Sequence, residues 1–390
     1  MTTPEVERLR RLQRLKQDSF QESSFQEVTR ELLGLHSTDY WTPYLSVWAR
    51  FGDYDAARIF EDINSGKNLV RINAYRRTVH LVHADDLPII IKATKSVFYN
   101  SVRNVPPIRK TTDDELEVIH NKILDNLDEK PMRMSELNRK IPELQKLGRW
   151  VLLLLMAEGE VIRAEAAHAR SNLTSYAITR KWVQGYKPSK LSEKDAFREI
   201  IHRFIKTYGP VTEEDIAWWF MTAKTRVRKA LSILESKVEA VELGESIHYI
   251  EPKIIDDIIL EDRDSSSVWF LPYEDVFPKA YIQREWYLDD DLKRRVYPES
   301  AKYYWPPENP FMPPAKHKGM SQAGEIRPSV WVDGKIVGRW EIENKKDSYS
   351  IKYGIYRELD KDVHKIIQQK RDNLEDFINI RLKPISGKTN

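Results

Sequence analysis

The stretch "GPVTEEDIAWWFMTAKTRVRKALSILESKVEAVELGESIHYIE", residues 209–251, carries the pattern that decides the fold. Thr212 stands where a helix N-cap is expected, and Asp215 occupies the capping-box position three residues later. A short turn at residues 221–223 separates this helix from a second, basic helix at residues 224–236. Alternation of apolar and polar residues around a polar turn then predicts a hairpin. Helix, turn, helix and hairpin in this order are typical of a winged helix, whose second helix would be the recognition helix.

Two earlier segments have the same organisation in a weaker form. The residues "LVRINAYRRTVHLV", 69–82, and "GEVIRAEAAHARSNLTSYAI", 159–178, both predict hairpins. Helix-like stretches precede them, such as "GRWVLLLLMAEG" at residues 148–159. We interpret the three segments as a divergent threefold repeat of winged helices.

The pattern changes after about residue 256. Asp333-Gly334 lies between two alternating segments, which is a strong hairpin signal. The residues 360–380 form an amphipathic pattern that predicts a closing helix. The sequence therefore predicts an α+β protein in which three tandem winged-helix domains precede a C-terminal β-barrel-like domain. The predicted boundaries are 1–92, 93–188, 189–255 and 256–390.

Composition restricts the class of protein. The 390 residues include no cysteine, which excludes disulfides, iron–sulfur clusters and Cys-ligated zinc. Lys plus Arg number 63 and Asp plus Glu 60, so the net charge is only +3. Only a local cluster of basic residues could then form a nucleic-acid face. No Gly-rich phosphate loop, signal peptide or membrane-length apolar run is present. We expect a cytoplasmic protein without a cofactor, a metal or a membrane contact, and no protein partner is predicted.

A polar cluster, His36-Ser37-Thr38-Asp39, interrupts the stretch "LLGLHSTDYWTPYLSVWAR" at residues 32–50. The leucines before it are interpreted as the end of a helix, and an aromatic helix is predicted to start near Trp41. Polar groups between apolar segments are costly unless they are satisfied or used. One interpretation is an ordinary helix cap formed by Thr38 or Asp39. The other is a functional site.

Basic residues recur in the predicted hairpins and in the basic helix, where they could contact a nucleic acid. Phosphate contacts from such residues give affinity without sequence readout, although any one of them could instead belong to a solvated helix face. The candidates are Arg50, Arg76, Arg77, Arg163, Arg170, Lys181, Lys224, Arg226, Arg228 and Lys229.

Six segments together resemble the winged-helix DNA glycosylases of the AlkZ and YcaQ type, in order and spacing. They are "LLGLHSTDYWTPYLSVWAR", "RRTVHLV", "SYAITRKWV", "GPVTEEDIAWWF", "FLPYEDVFPKAYIQREW" and "VWVDGKIVGRWEI". The resemblance implies three winged helices, a C-terminal barrel, a monomeric state, and duplex DNA in a concave channel. It also implies excision of alkylated or cross-linked bases. The family's catalytic motif, Gln-x-Gln or Gln-x-Asp, follows "LGL", and here that position is His36-Ser37-Thr38.

This resemblance leaves two functions open. The first is a monofunctional glycosylase for alkylated purines, in which His36, Thr38 or Asp39 orients water. The second is a winged-helix regulator or lesion sensor without activity. The enzyme hypothesis predicts that His36 and Thr38 are partly exposed, in the same concavity as Arg77, Arg163 and Lys224. A His36 that is buried, hydrogen-bonded to backbone and sealed by Trp41 or Trp48 would favour the second function.

Overall fold

The computed structural model describes residues 24–171, 174–234, 237–252, 267–282, 284, 287–292 and 326–387. Its first part contains three helices, a two-residue strand and a hairpin. In chain order these are α1 (Phe25–Glu31), β1 (Leu35–His36), α2 (Thr42–Phe51), α3 (Ala56–Ser65), β2 (Leu69–Asn73) and β3 (Val79–His83). The hairpin predicted at residues 69–82 is confirmed. The predicted helix end at residues 32–35 is wrong, because Leu33 and Gly34 have φ values of 57° and 105° and so break the helix.

The second part is mostly helical and ends in another hairpin, which confirms the one predicted at residues 159–178. Its elements are α4 (Leu87–Arg103), α5 (Pro106–Arg109), α6 (Asp113–Glu129), β4 (Met132–Arg133), α7 (Met134–Lys140), α8 (Leu144–Leu147), α9 (Trp150–Glu158), β5 (Val161–Ala166), β6 (Thr174–Ile178) and α10 (Thr179–Trp182). Helix α4 runs without a break through the boundary predicted between residues 92 and 93.

The third part follows the prediction most closely. It consists of α11 (Glu193–Tyr208), α12 (Glu213–Phe220), α13 (Lys224–Leu234), β7 (Glu239–Leu243) and β8 (Ser246–Ile250). Thr212 and Asp215 form the predicted capping box at the start of α12. Met221 ends this helix with a φ of 50°. The predicted order of helix, turn, helix and hairpin is therefore confirmed here.

The C-terminal part is an open antiparallel sheet with a long helix. Its elements are β9 (Val268–Leu271), α14 (Val276–Lys279), β10 (Ser329–Val332), β11 (Lys335–Lys345), β12 (Ser348–Ile355) and α15 (Lys361–Phe377), followed by a π-helical turn at Ile378–Leu382. The strand order is β12-β11-β10-β9, and the described residues contain no closed barrel. The hairpin at Asp333-Gly334 and the closing helix are confirmed.

The first two hairpins join into one sheet. The six strands have the order β1-β3-β2-β5-β6-β4. The two hairpins join where Arg71 on β2 lies opposite Arg163 on β5. Asn64 strengthens the joint, because its side-chain amide both donates to and accepts from the Ala166 backbone. The third hairpin, β7–β8, forms a two-stranded sheet of its own.

Two apolar cores hold the elements together. The larger core joins the first, third and C-terminal parts of the chain, and Trp219 lies fully buried within it. The Tyr208 hydroxyl, at the end of α11, donates to the Leu32 carbonyl oxygen over 2.8 Å within this core. The second core belongs to residues 98–178 and surrounds α9, whose leucines 152–155 are all buried. The mixed α/β fold is thus one assembly in which the first part packs against the third and the last.

Candidate active site and nucleic-acid interface

The polar turn at residues 36–39 begins inside the six-stranded sheet. His36 on β1 lies opposite His80 on β3, and the Ser37 amide donates to the Val79 carbonyl oxygen over 2.7 Å. His36 is only 2% exposed. The prediction that His36 is partly exposed is therefore wrong, because residues 35 and 36 pair as a strand and do not end a helix.

His36 lies in a buried group of ionisable side chains. Its Nε2 is 3.8 Å from the Glu274 carboxylate, which forms a buried ion pair with Lys279. The His36 ring packs edge-on against His80 and Tyr273, with ring centroids 5.8 and 6.2 Å apart. Burial, followed by the charges of Lys279 and His80, lowers the pKa of His36 well below its usual range. His36 is therefore a neutral imidazole in the core at physiological pH.

Thr38 and Asp39, by contrast, are half-buried. Oδ1 of Asp39 accepts from the Trp41 and Thr42 amides over 3.0 and 3.2 Å, at the start of α2. Asp39 thus holds the backbone at the start of α2, but the N-cap position itself is Trp41 and carries no side-chain cap. Both bonds use Oδ1, which leaves Oδ2 to accept from another donor. Burial raises the pKa of Asp39, although these hydrogen bonds and the charge of Arg170 act in the opposite direction. Thr38 Oγ1 is buried without a hydrogen-bond partner among the described residues.

An arginine–tyrosine cluster lies beside this turn, and we define it as Tyr40, Tyr44, Arg71, Arg163 and Tyr176. The guanidinium carbon of Arg71 is 5.3 Å from the centre of the Tyr40 ring. The Arg163 guanidinium lies 5.7 Å from the centre of the Tyr176 ring. Both arginines project from the same face of the sheet, since directly paired residues in neighbouring strands share a face.

Arg71 is the most unusual member of the cluster. It is 2% exposed, and none of its three guanidinium nitrogens has a hydrogen-bond partner among the described residues. Burial lowers the pKa of Arg71, Tyr44 and Tyr40 raise it, and Arg163 lowers it. Sequence reasoning missed this residue. The available signal was a single arginine inside the otherwise apolar beginning of the strand "LVRIN".

Two predicted DNA-binding residues, Arg163 and Arg170, lie close to the polar turn. Arg163 donates to the Asn73 side chain over 3.3 Å. Arg170 stacks over Trp41 at 4.8 Å and donates to the Tyr349 hydroxyl over 2.8 Å. Its charge also acts on the Asp39 carboxylate. The structure therefore brings Asp39, Arg163 and Arg170 together around the arginine–tyrosine cluster.

Arg50 is not available to DNA. Its side chain is fully buried and forms two hydrogen bonds of 2.9 and 2.8 Å with the Asp275 carboxylate. A third bond, of 2.7 Å, reaches the Ser46 carbonyl oxygen. The prediction of DNA binding is wrong for Arg50, because the residue ties α2 to the loop that carries Glu274.

Arg76 and Arg77 form the tip of the first hairpin, and their φ values are 51° and 59°. Two successive non-glycine residues in the left-handed region are strained, and such strain is common at functional sites. The Arg76 guanidinium stacks 3.4 Å from the centre of the Trp218 ring and donates to the Trp218 carbonyl oxygen. Burial lowers the pKa of Arg76 to about 10. Arg77 is exposed.

Most of the other predicted DNA-binding residues pair with carboxylates. Lys224 pairs with Glu214, Arg228 with Glu213, and Lys181 with Asp128. These three basic side chains are exposed, and the ion pairs lower the local positive charge without removing the residues from solvent. The hairpin after α13 also carries exposed Glu239 and Glu242. The third part of the chain thus presents a mixed surface, with less net positive charge than the sequence suggested.

Arg226 and Lys229 on α13 differ in their surroundings. Arg226 pairs with Glu193 over 2.9 Å, donates to the Ala93 carbonyl oxygen and stacks 4.1 Å from the centre of the Phe197 ring. Arg226 therefore ties α13 to α11 and α4. Lys229 is exposed and forms no ion pair within the described ranges.

This difference gives a prediction for duplex binding. We expect Lys229→Met to weaken binding to all duplexes alike and to lower the salt dependence of log K by about one unit, because one phosphate contact is lost. Arg226→Met should lower the melting temperature instead and change the salt dependence little. Fluorescence anisotropy at several salt concentrations and a thermal melt measure both effects. An unchanged affinity for Lys229→Met would remove Lys229 from the interface.

No group of three or more metal-binding side chains is found among the described residues. No helix among those residues is long and apolar enough to cross a membrane.

Among solved structures, the DNA glycosylase AlkZ of Streptomyces sahachiroi matches with a TM-score of 0.74, over 96% of this chain and 97% of that chain, at 16% sequence identity. That likeness establishes the fold. A family model described as DNA glycosylase AlkZ-like matches residues 29–369. The chain therefore belongs to the AlkZ-like DNA glycosylase family, as its sequence motifs indicated. No curated protein sequence matches it.

Proposed function

We propose that this protein is a monofunctional DNA glycosylase that hydrolyses the N-glycosidic bond of alkylated purines in duplex DNA. The observation that carries the proposal is the placement of Asp39. This carboxylate is half-buried, its Oδ1 accepts from the Trp41 and Thr42 amides at the start of α2, and it lies next to the arginine–tyrosine cluster. It also follows directly after the position of the family's catalytic motif. A carboxylate that is held in this way can orient a water molecule against a sugar.

The reaction needs little from the protein beyond that orientation. An alkylated purine carries positive charge, so it leaves readily and takes the electron pair of the glycosidic bond with it. Oδ2 of Asp39 accepts a hydrogen bond from the attacking water, whose oxygen forms the new bond to C1′ of the sugar. The water proton passes to Asp39 and then to solvent. The products are an abasic sugar and the free, neutral base.

Among the three predicted catalytic residues, we assign the chemistry to Asp39 and Thr38. Thr38 Oγ1 has no partner among the described residues, so it can hold the same water. His36 is a positioning residue, since it is buried and neutral and packs against Glu274. Lys279, the amine beside His36, is engaged in a buried ion pair with Glu274. This engagement supports hydrolysis by water over a covalent lysine intermediate.

We also propose that the three helix–hairpin parts are winged helices and that duplex DNA is their ligand. The observed elements support three helix–hairpin units, and the strained tip at Arg76 and Arg77 supports contact by the first hairpin. Phosphate contacts would then come from Arg77, Arg163, Arg170 and Lys229. The domain boundaries and a cytoplasmic location stay predictions.

The burial of His36 favours a second candidate function, a DNA-binding protein without activity. One of its three conditions is met, because His36 is 2% exposed. The other two are not: His36 Nδ1 has no hydrogen-bond partner in the described structure, and the rings packed against it belong to His80 and Tyr273 and not to Trp41 or Trp48.

Incubation with duplexes that carry N7-alkylguanine or N3-alkyladenine distinguishes the two functions. We expect abasic sites, scored after alkaline cleavage, to accumulate with the wild-type protein above the spontaneous rate. Unmodified duplex of the same sequence is the control substrate. Tight binding of the lesion duplexes with background cleavage across the whole set would establish the second function and exclude the first.

A further inference from the structure

Two like charges face each other at the joint between the first two hairpins. Arg71 on β2 and Arg163 on β5 are direct cross-strand partners. Cβ atoms of such partners lie about 4.5–5.5 Å apart, and like charges in this position are destabilising. The described residues provide no carboxylate for Arg71. The acidic group of the turn, Asp39, accepts from the Trp41 and Thr42 amides, and the charge that acts on it is that of Arg170.

The burial of Arg71 adds a second cost. A guanidinium removed from water is stable only when it is paired and hydrogen-bonded. Arg71 is 2% exposed, and its nitrogens have no hydrogen-bond partner in the described structure. Its surroundings are instead the Tyr40 ring, the Tyr44 side chain and the Arg163 guanidinium. An apolar residue at position 71 would therefore be the more stable choice for the fold alone.

We propose that Arg71 and Arg163 form a binding site for one phosphodiester group of the DNA strand that carries the target nucleotide. The inference rests on the proposed DNA-binding function and names the ligand group of that site. A phosphate between two guanidinium groups removes their repulsion and satisfies several of their donors at once. Tyr40 covers Arg71 in the free protein and moves aside when the phosphate enters.

The closeness of this site to Asp39 favours a phosphate of DNA as its ligand. Tyr40 follows Asp39 directly in the sequence. Burial raises the pKa of Tyr40, the nearby charges of Arg71 and Arg163 lower it, and Asp39 raises it, so all three groups lie close to its hydroxyl. A phosphate held by the two arginines thus lies beside the carboxylate that orients water. The site would fix the backbone next to the reacting sugar. Arg71 is therefore a positioning residue for the DNA strand.

The test replaces single phosphates by neutral methylphosphonates in a duplex with a stable abasic analogue, and compares the wild type with Arg71→Met. In the wild type, we expect one linkage position at which the neutral group weakens binding roughly 10- to 100-fold, as for a lost charge-assisted hydrogen bond. In Arg71→Met the all-phosphate duplex binds correspondingly more weakly, and the same methylphosphonate causes no further loss. Lys365→Met, an exposed residue on α15, should keep the wild-type pattern.

Thermal stability separates this role from a structural one. Arg71→Met should raise the melting temperature of the free protein by a few degrees, because it removes an uncompensated buried charge. A lower melting temperature together with an unchanged methylphosphonate effect would overturn the proposal. Stabilisation of the wild type by inorganic phosphate without any methylphosphonate effect would overturn the DNA assignment. Because the readout is binding, absence of base release leaves the result interpretable.

Discussion

Asp39→Asn is expected to lower the rate of base release by about 10²- to 10⁴-fold, the usual contribution of a positioned base. Asparagine keeps an oxygen at the position of Oδ1, so the Trp41 and Thr42 amides retain their acceptor. Asparagine is also a good residue at a helix start. The variant should therefore fold and bind lesion duplex as the wild type does. Single-turnover assays on alkylated duplex measure the loss.

Asp55→Asn is the matched control. The Asp55 carboxylate caps α3 through the Ala57 and Arg58 amides in the same manner, but it is no part of the candidate site. We expect this variant to keep the wild-type rate. Equal rates for Asp39→Asn and the wild type would assign Asp39 to helix capping alone.

The pH profile gives an independent readout of the same residue. Because burial raises the pKa of Asp39, its carboxylate forms at a higher pH than that of an exposed aspartate. Enzymatic base release is then lost as the pH falls through this raised pKa. In the wild type, the pH at which the rate falls by half on the acid side should lie above the ordinary pKa range of an aspartate. In Asp39→Asn this fall should be absent after subtraction of spontaneous depurination.

Arg50→Met is expected to destabilise the protein by about 3–5 kcal/mol, the cost of breaking a buried ion pair on one side. The change leaves the Asp275 carboxylate buried, and the Phe277 amide is then its one remaining hydrogen-bond donor among the described residues. The double variant Arg50→Met/Asp275→Asn should recover part of this loss, because the unpaired charge is removed. Urea unfolding followed by tryptophan fluorescence measures the change in midpoint.

Arg381→Met is the control for a surface pair. Arg381 forms a bidentate ion pair with Asp53, but the two side chains are 43% and 57% exposed. Exposed pairs contribute about 0–1 kcal/mol, so we expect a small shift in midpoint. A loss as small for Arg50→Met would mean that solvent reaches the Arg50–Asp275 pair readily.

The sequence predicted correctly those structural features that are formed by residues close to one another along the chain. The capping box of Thr212 and Asp215 and the turn at Asp333-Gly334 each depend on residues within a few positions of one another. Both were found where the sequence indicated. The family was recognisable from the order of several such segments.

The parts that were missed depend on distant partners. Strand β1 has two residues, and it is defined by pairing with β3 more than 40 positions later. No periodicity can reveal a strand of that length, so His36 was predicted to be exposed. Likewise, Arg50 resembled any other arginine at the end of an amphipathic helix. Its partner, Asp275, lies 225 positions away. Arg71 could be noticed only as a charge in an apolar strand.

The sequence separation of the contacts around the polar turn bears on how the protein is made. The Trp41 indole donates to the Ser386 hydroxyl, 345 positions later. The carboxylate partner of Arg50, Asp275, lies 225 positions later. At about 5–20 residues per second, the ribosome delivers residue 386 roughly 20–70 s after residue 41. The first helices therefore emerge from the ribosome before the partners of Arg50 and Trp41 have been synthesised. The polar turn reaches its final contacts only after residue 386 has been synthesised.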